Sequence, residues 1–148
     1  MITFFLVTAL TIAFVVGSAL AMRPSPRLRR LAGLRQRAFA EGLRVQLRPG
    51  EPQVDYILAW RVIDAGRAPG MRLAAIRGDD GLWQLESGGV AGTEAVVAAM
   101  VSLPPTVCRV SADSQGLVAC WNESGTVLEV EQIAVALRAI REQLSTRA

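Results

Sequence analysis

Residues 1–22, MITFFLVTALTIAFVVGSALAM, contain no charged side chain, and this run constrains the chain more than any other feature. Coiled as an α-helix at about 1.5 Å per residue it is about 33 Å long, a match for a hydrocarbon core of about 30 Å. Its side-chain polar groups are Thr3, Thr8, Thr11 and Ser18, whose hydroxyls can bond back to a carbonyl one turn earlier. The run predicts a transmembrane helix over 1–22. A cleaved signal peptide competes, because Ala19-Leu20-Ala21 has the A-x-A form of a cleavage site. Two features favour the anchor. Only the amino terminus supplies positive charge before the run, and six arginines follow it: Arg23, Arg27, Arg29, Arg30, Arg35 and Arg37. Such a cluster stays on the cytoplasmic side. The expectation is a single pass through a membrane, N-terminus outside, with the rest of the chain cytoplasmic.

The charge is partitioned sharply. Residues 23–42 hold those six arginines and one acid, Glu41, for +5; residues 43–148 hold ten arginines and twelve acids, for −2, giving the net +3. The basic character therefore belongs to the segment after the span. Those six arginines are the candidate membrane-surface residues, suited to anionic lipid headgroups at about 1 kcal/mol each; a pure topology signal is the plainer reading. The slightly acidic remainder has no nucleic-acid footprint. Within the span Ala9, Ala13, Gly17 and Ala21 recur every fourth residue. They form a small-residue stripe on which a partner helix, or a second copy, can pack closely.

Residues 23–42 read as a basic amphipathic juxtamembrane helix. Ser25 is an N-cap, Pro26 occupies the first helical position, and Gly42 is the C-terminal cap. Leu28, Leu31, Leu34 and Ala38 share one face, which lies on the membrane surface or against the following domain.

From residue 43 the period becomes two. Leu43, Val45 and Leu47 alternate with polar residues, and Val54 to Val62 is rich in β-formers. Met71 to Arg77 and Leu82 to Glu86 form a hairpin about Gly78-Asp79-Asp80-Gly81. Thr93 starts a helix that Pro104-Pro105 ends. Val107 to Ser111 and Leu117 to Trp121 make another hairpin. Thr126 and Glu129 have capping-box spacing before the apolar stripe Val130, Ile133, Ala134, Leu137, Ile140 and Leu144. The expected fold is α+β: an N-terminal transmembrane helix, the basic helix, then residues 43–148 as a small antiparallel sheet in the order β-β-β-β-α-β-β-α packed by helices.

The chemistry points away from catalysis. There is no histidine and no G-x-S-x-G or S-x-x-K. The acids Asp55, Asp64, Glu86 and Glu123 show no metal-ligand spacing, so neither metal nor cofactor is expected. If Asp113 pairs with Gly116, Cys120 faces Arg109 and Cys108 faces Trp121, which places the two thiols on opposite faces; a one-residue slip would bring them together. Asn122-Glu123-Ser124 matches a glycosylation sequon, irrelevant to a cytoplasmic site. Residues 88–92 open onto a helix N-terminus but lack the Lys-Ser/Thr of a P-loop. They read as a connector. Trp60, Trp83 and Trp121 fall in predicted strands; they are core anchors, and become candidate interface residues if two share an exposed face.

Met22-Arg23-Pro24, the basic helix after it and Gly42-Leu43-Arg44-Val45 resemble the YajC family, small accessory subunits of the Sec translocase in bacterial inner membranes. The Ser87 to Thr93 glycine segment is similar to that family's glycine motif, although it lies later in the chain and a helix follows it. The remainder departs from the family, and no functional residue is carried over. The resemblance implies an accessory role. The anchor, the small-residue stripe and the missing catalytic constellation together lead to the expectation of a non-enzymatic accessory or scaffold subunit of a bacterial inner-membrane complex. Its partners would be anionic lipid and an integral-membrane protein or its own copy. The alternative is a membrane-tethered ligand-binding or sensor domain.

Overall fold

The computed structural model describes residues 2–21, 25–61, 73–87 and 93–145. The chain divides into two compact units, residues 1–32 and 33–148.

In the first unit, α1 (Ile2–Ala21) is an uninterrupted helix. Thr8, Thr11 and Ser18 donate their hydroxyls to the carbonyls of Phe4, Val7 and Phe14 at 2.9, 2.8 and 2.8 Å, so these polar groups are satisfied within the helix. Apolar side chains point out on every side: Phe4, Phe5 and Phe14 are 72%, 70% and 76% exposed. Nevertheless, among the described residues no helix is long and apolar enough to cross a membrane. This corrects the transmembrane assignment of 1–22. What the structure holds there is an apolar helix without a demonstrated span.

The next helix, α2 (Pro26–Ala40), starts as its caps require: the Leu28 amide donates to Ser25 Oγ at 3.3 Å and Pro26 fills the first position, where no amide is needed. The boundary between the units falls inside α2. Before it, Leu28 is exposed with Arg27, Arg29 and Arg30. After it, Leu34 and Ala38 are fully buried. The helix ends at Gly42, whose φ of +77° suits glycine. The amides of Gly42 and Leu43 donate to the carbonyls of Phe39 and Ala38 there.

The second unit is a six-stranded antiparallel sheet. Its strands are β1 (Arg44–Leu47), β2 (Val54–Ala59), β3 (Leu73–Arg77), β4 (Trp83–Ser87), β5 (Val107–Ala112) and β6 (Gly116–Trp121); α3 (Thr93–Val101) precedes β5 and α4 (Val127–Ser145) follows β6. This is the element order the periodicity predicts. The spatial order is β1-β2-β6-β5-β3-β4, so the last hairpin is inserted between the first two. Gly116 makes that insertion possible: a Cβ there would collide with the Leu58 carbonyl on the neighbouring strand.

Alternation sorts the sheet into two faces. Tyr56, Ala119, Val110 and Ala75 lie side by side across four strands, all with no exposed surface. The helices α3 and α4 pack together and against the sheet, burying Val96 and Met100 of α3 and Val130, Ile133, Leu137 and Ile140 of α4. Arg77 holds the end of α3, donating to the Leu103 and Pro104 carbonyls at 3.1 and 2.8 Å. A cation there complements the helix dipole. The opposite face carries the rows Ala74, Ser111, Val118, Ile57, Arg44 and Ile76, Arg109, Cys120, Asp55, Gln46.

Candidate functional site

The most constrained polar group in the second unit is Glu123. It follows β6, is 5% exposed, and has a φ of +52°, a conformation that a side chain other than glycine, asparagine or aspartate rarely takes. Its Oε1 accepts from Arg35 Nε at 2.9 Å and its Oε2 from Arg35 Nη2 at 2.6 Å. The Tyr56 hydroxyl adds a third bond to Oε1 at 3.1 Å. The fork of guanidinium on carboxylate is the strongest geometry such a pair adopts. It holds Arg35 protonated still more firmly than usual, through the hydrogen bond to Glu123 first. Burial, then the Glu123 charge, pushes the Tyr56 hydroxyl well above its ordinary range. Tyr56 in turn packs edge to face on Trp121, ring centroids 5.1 Å apart. Chemically the arrangement is a clasp. Both carboxylate oxygens are occupied, and neither is poised to take a proton from a substrate.

Three further ion pairs extend the clasp from the end of α2. Arg37 reaches Glu41 at 3.0 Å and Glu131 of α4 at 2.9 Å. Arg138 of α4 donates to the Glu41 carbonyl at 2.7 Å and its carboxylate at 2.9 Å. Arg35 and Arg37, read from sequence as membrane-surface residues, are therefore spent inside the second unit. Arg27, Arg29 and Arg30 are exposed in the first, and Arg23 lies outside the described residues. Of the small-residue stripe, Ala9, Ala13 and Gly17 are exposed on α1 and a Cβ at Gly17 would meet nothing within 4 Å; the Ala21 side chain lies outside the description. So does the 88–92 loop.

The three tryptophans do not share a surface. Trp121 is fully buried. Trp83 donates its indole N–H to the Met100 carbonyl at 2.9 Å, with the Arg77 guanidinium 4.7 Å from its ring centroid. Trp60 donates to the Asp113 carbonyl at 2.6 Å, clamping the β5–β6 turn.

The thiols depart from the sequence expectation. Arg109 does pair with Cys120, but Val107 pairs with Trp121, so Cys108 is the extra residue of a β-bulge. Val107 and Trp121 are both wholly buried under the helices. The bulge returns Cys108 to the face of Arg109 and Cys120, instead of the opposite one. Cys108 Sγ lies 3.3 Å from the Cys120 carbonyl, and Cys120 Sγ 3.3 Å from Gln53 Oε1. Both are free cysteines. Burial, then the neighbouring Cys108 and Asp55, pushes the Cys120 thiol up to about 12.

The clasp escaped sequence reading because Arg35 and Glu123 are separated by 88 positions, and Glu123 sits in a stretch that reads locally as turn and sequon. Among the described residues no cluster of three His, Cys, Asp or Glu side chains could hold a metal ion. Comparison with protein families, with characterised proteins and with solved structures finds no match.

Proposed function

We propose that this chain is a non-enzymatic accessory subunit acting at an anionic membrane surface, with the first unit seated in apolar surroundings and the second serving as its contact module. One observation carries the reading: α1 exposes apolar side chains on all sides. A helix apolar all round is stable only among apolar neighbours, whether acyl chains or partner helices. The first unit adds four arginines and no acid, a charge of +4, which suits headgroup phosphates. The clasp supports the second half of the reading, since it fixes the end of α2 to the sheet without offering a reactive group. The YajC-like start is in keeping with a translocase-associated complex.

The test is flotation of the full chain with phosphatidylcholine vesicles, with and without phosphatidylglycerol. Changing Arg27, Arg29 and Arg30 together to Gln should weaken binding to the anionic vesicles by about 3 kcal/mol at low salt, on the order of 100-fold. Equal binding by both proteins would remove lipid charge from the account.

The alternative, a tethered ligand-binding domain, has one observation in its favour. An open groove of about 550 Å³ lies beside α4, lined by its Leu128, Glu131, Gln132 and Val135 and by Ser102, which follows α3. Melting shifts of the full chain across a small-molecule library would support it.

A further inference from the structure

We propose that Cys108 and Cys120 are a peroxide-responsive thiol pair that closes to an intramolecular disulfide across the β5–β6 hairpin. The bulge carries the inference. In a regular hairpin Cys108 would occupy the register position opposite Trp121 and point into the core. The extra residue instead makes Cys108 and Arg109 together oppose Cys120. Consecutive residues of such a bulge turn their side chains to the same side, and Arg109 shows which side: it donates to Glu86 at 2.8 Å on the face away from the helices. The Cys108 sulfur reaches across to Cys120 itself, 3.3 Å from its carbonyl oxygen. The Cys108 side chain is also a hydrogen-bonding neighbour of the Cys120 thiol, so the two sulfurs already lie close to one another.

Exposure sets the order of events. Cys108 is half-buried and Cys120 buried, so Cys108 meets the oxidant first. Its thiolate attacks a peroxide oxygen, the O–O bond breaks, and hydroxide leaves to give the sulfenic acid. The Cys120 sulfur, giving up its proton, then attacks Cys108 Sγ and expels the sulfenic oxygen as water. The sum is two thiols and one hydrogen peroxide to one disulfide and two waters. Cys120, held in its protonated form by burial and by the Asp55 charge, acts as the resolving partner only once Cys108 is oxidised. The bond replaces the contact of Cys120 with Gln53, 3.3 Å away before β2.

The test exposes the full chain to near-stoichiometric hydrogen peroxide, denatures it, alkylates free thiols and maps peptides by mass spectrometry. The expected result is loss of both alkylatable thiols with a Cys108–Cys120 linked peptide, reversed by dithiothreitol. Two variants keep the outcome decisive. C120S should leave Cys108 as sulfenic acid and higher oxides, and C108S should leave Cys120 unreacted under the same dose. The proposal is overturned if wild-type chains keep two alkylatable thiols. It is equally overturned if Cys108 reaches sulfinic acid at the same rate with and without Cys120, or if the links join separate chains.

Discussion

Two helices of nearly equal length, α1 with 20 residues and α4 with 19, obey opposite rules. α4 is apolar along one face: Val130, Ile133, Ala134, Leu137, Ile140 and Leu144 are buried against the sheet and α3, while Glu131, Arg138 and Glu142 lie on its other sides. Its environment is supplied by its own chain. α1 is apolar all round and its side chains from residue 3 to 17 are exposed. The contrast separates a helix whose apolar stripe is matched by a core from one that is apolar all round and exposed.

The largest expected effect falls in that one core. Trp121→Ala removes the buried ring that packs on Tyr56 and should cost about 3–5 kcal/mol, read as a lowered urea midpoint of the full chain. A loss below about 1 kcal/mol would mean that the sheet–helix interface is not where the stability resides. Next comes the clasp. Glu123→Gln keeps the shape but removes the charge that Arg35 and Tyr56 both address, and should cost about 1–3 kcal/mol; Arg35 is 31% exposed, which favours the lower end. The exposed pair Arg61–Glu142 gives the contrast, since Glu142→Gln should cost under about 1 kcal/mol.

The response to alkali probes the same core by titration. Tyr56 and Cys120 both hold their protons more tightly in the folded chain than at their ordinary values of 10.0 and 9.0. The unfolded chain therefore releases protons first, and stability, undiminished by these groups at neutral pH, falls as pH rises from about 9. Tyr56→Phe should flatten the upper part of that decline in a series of urea midpoints from pH 8 to about 11. An identical slope in the variant would show that the Tyr56 hydroxyl is not shielded. The smallest effect belongs to α1. Phe5→Ser with Phe14→Ser should leave the urea midpoint of the second unit within about 0.5 kcal/mol while reducing vesicle flotation of the full chain.

Most of the second unit is legible along the chain because its signals are local. Ser25-Pro26 and Gly42 bracket α2, Gly78 and Gly81 flank the β3–β4 turn, and the spacing from Val130 to Leu144 declares the buried face of α4. What is not legible depends on partners distant in sequence. Nothing near Gly116 says that its strand will slide between β2 and β5. The bulge at Cys108 shifts register by a single residue, which no alternation over so short a strand resolves. Glu123 acquires its role only when Arg35 and Tyr56 arrive from other elements. In the first unit the absence of charge in residues 1–22 was plain, yet apolarity specifies a kind of surrounding and not a crossing.

Hydrogen–deuterium exchange of the full chain, with and without vesicles containing phosphatidylglycerol, tests the division most directly. The account predicts that added protection is confined to amides of α1 and the first turns of α2, with β1–β6 and α4 unchanged. Protection gained in the strands, with α1 exchanging as before, would contradict it.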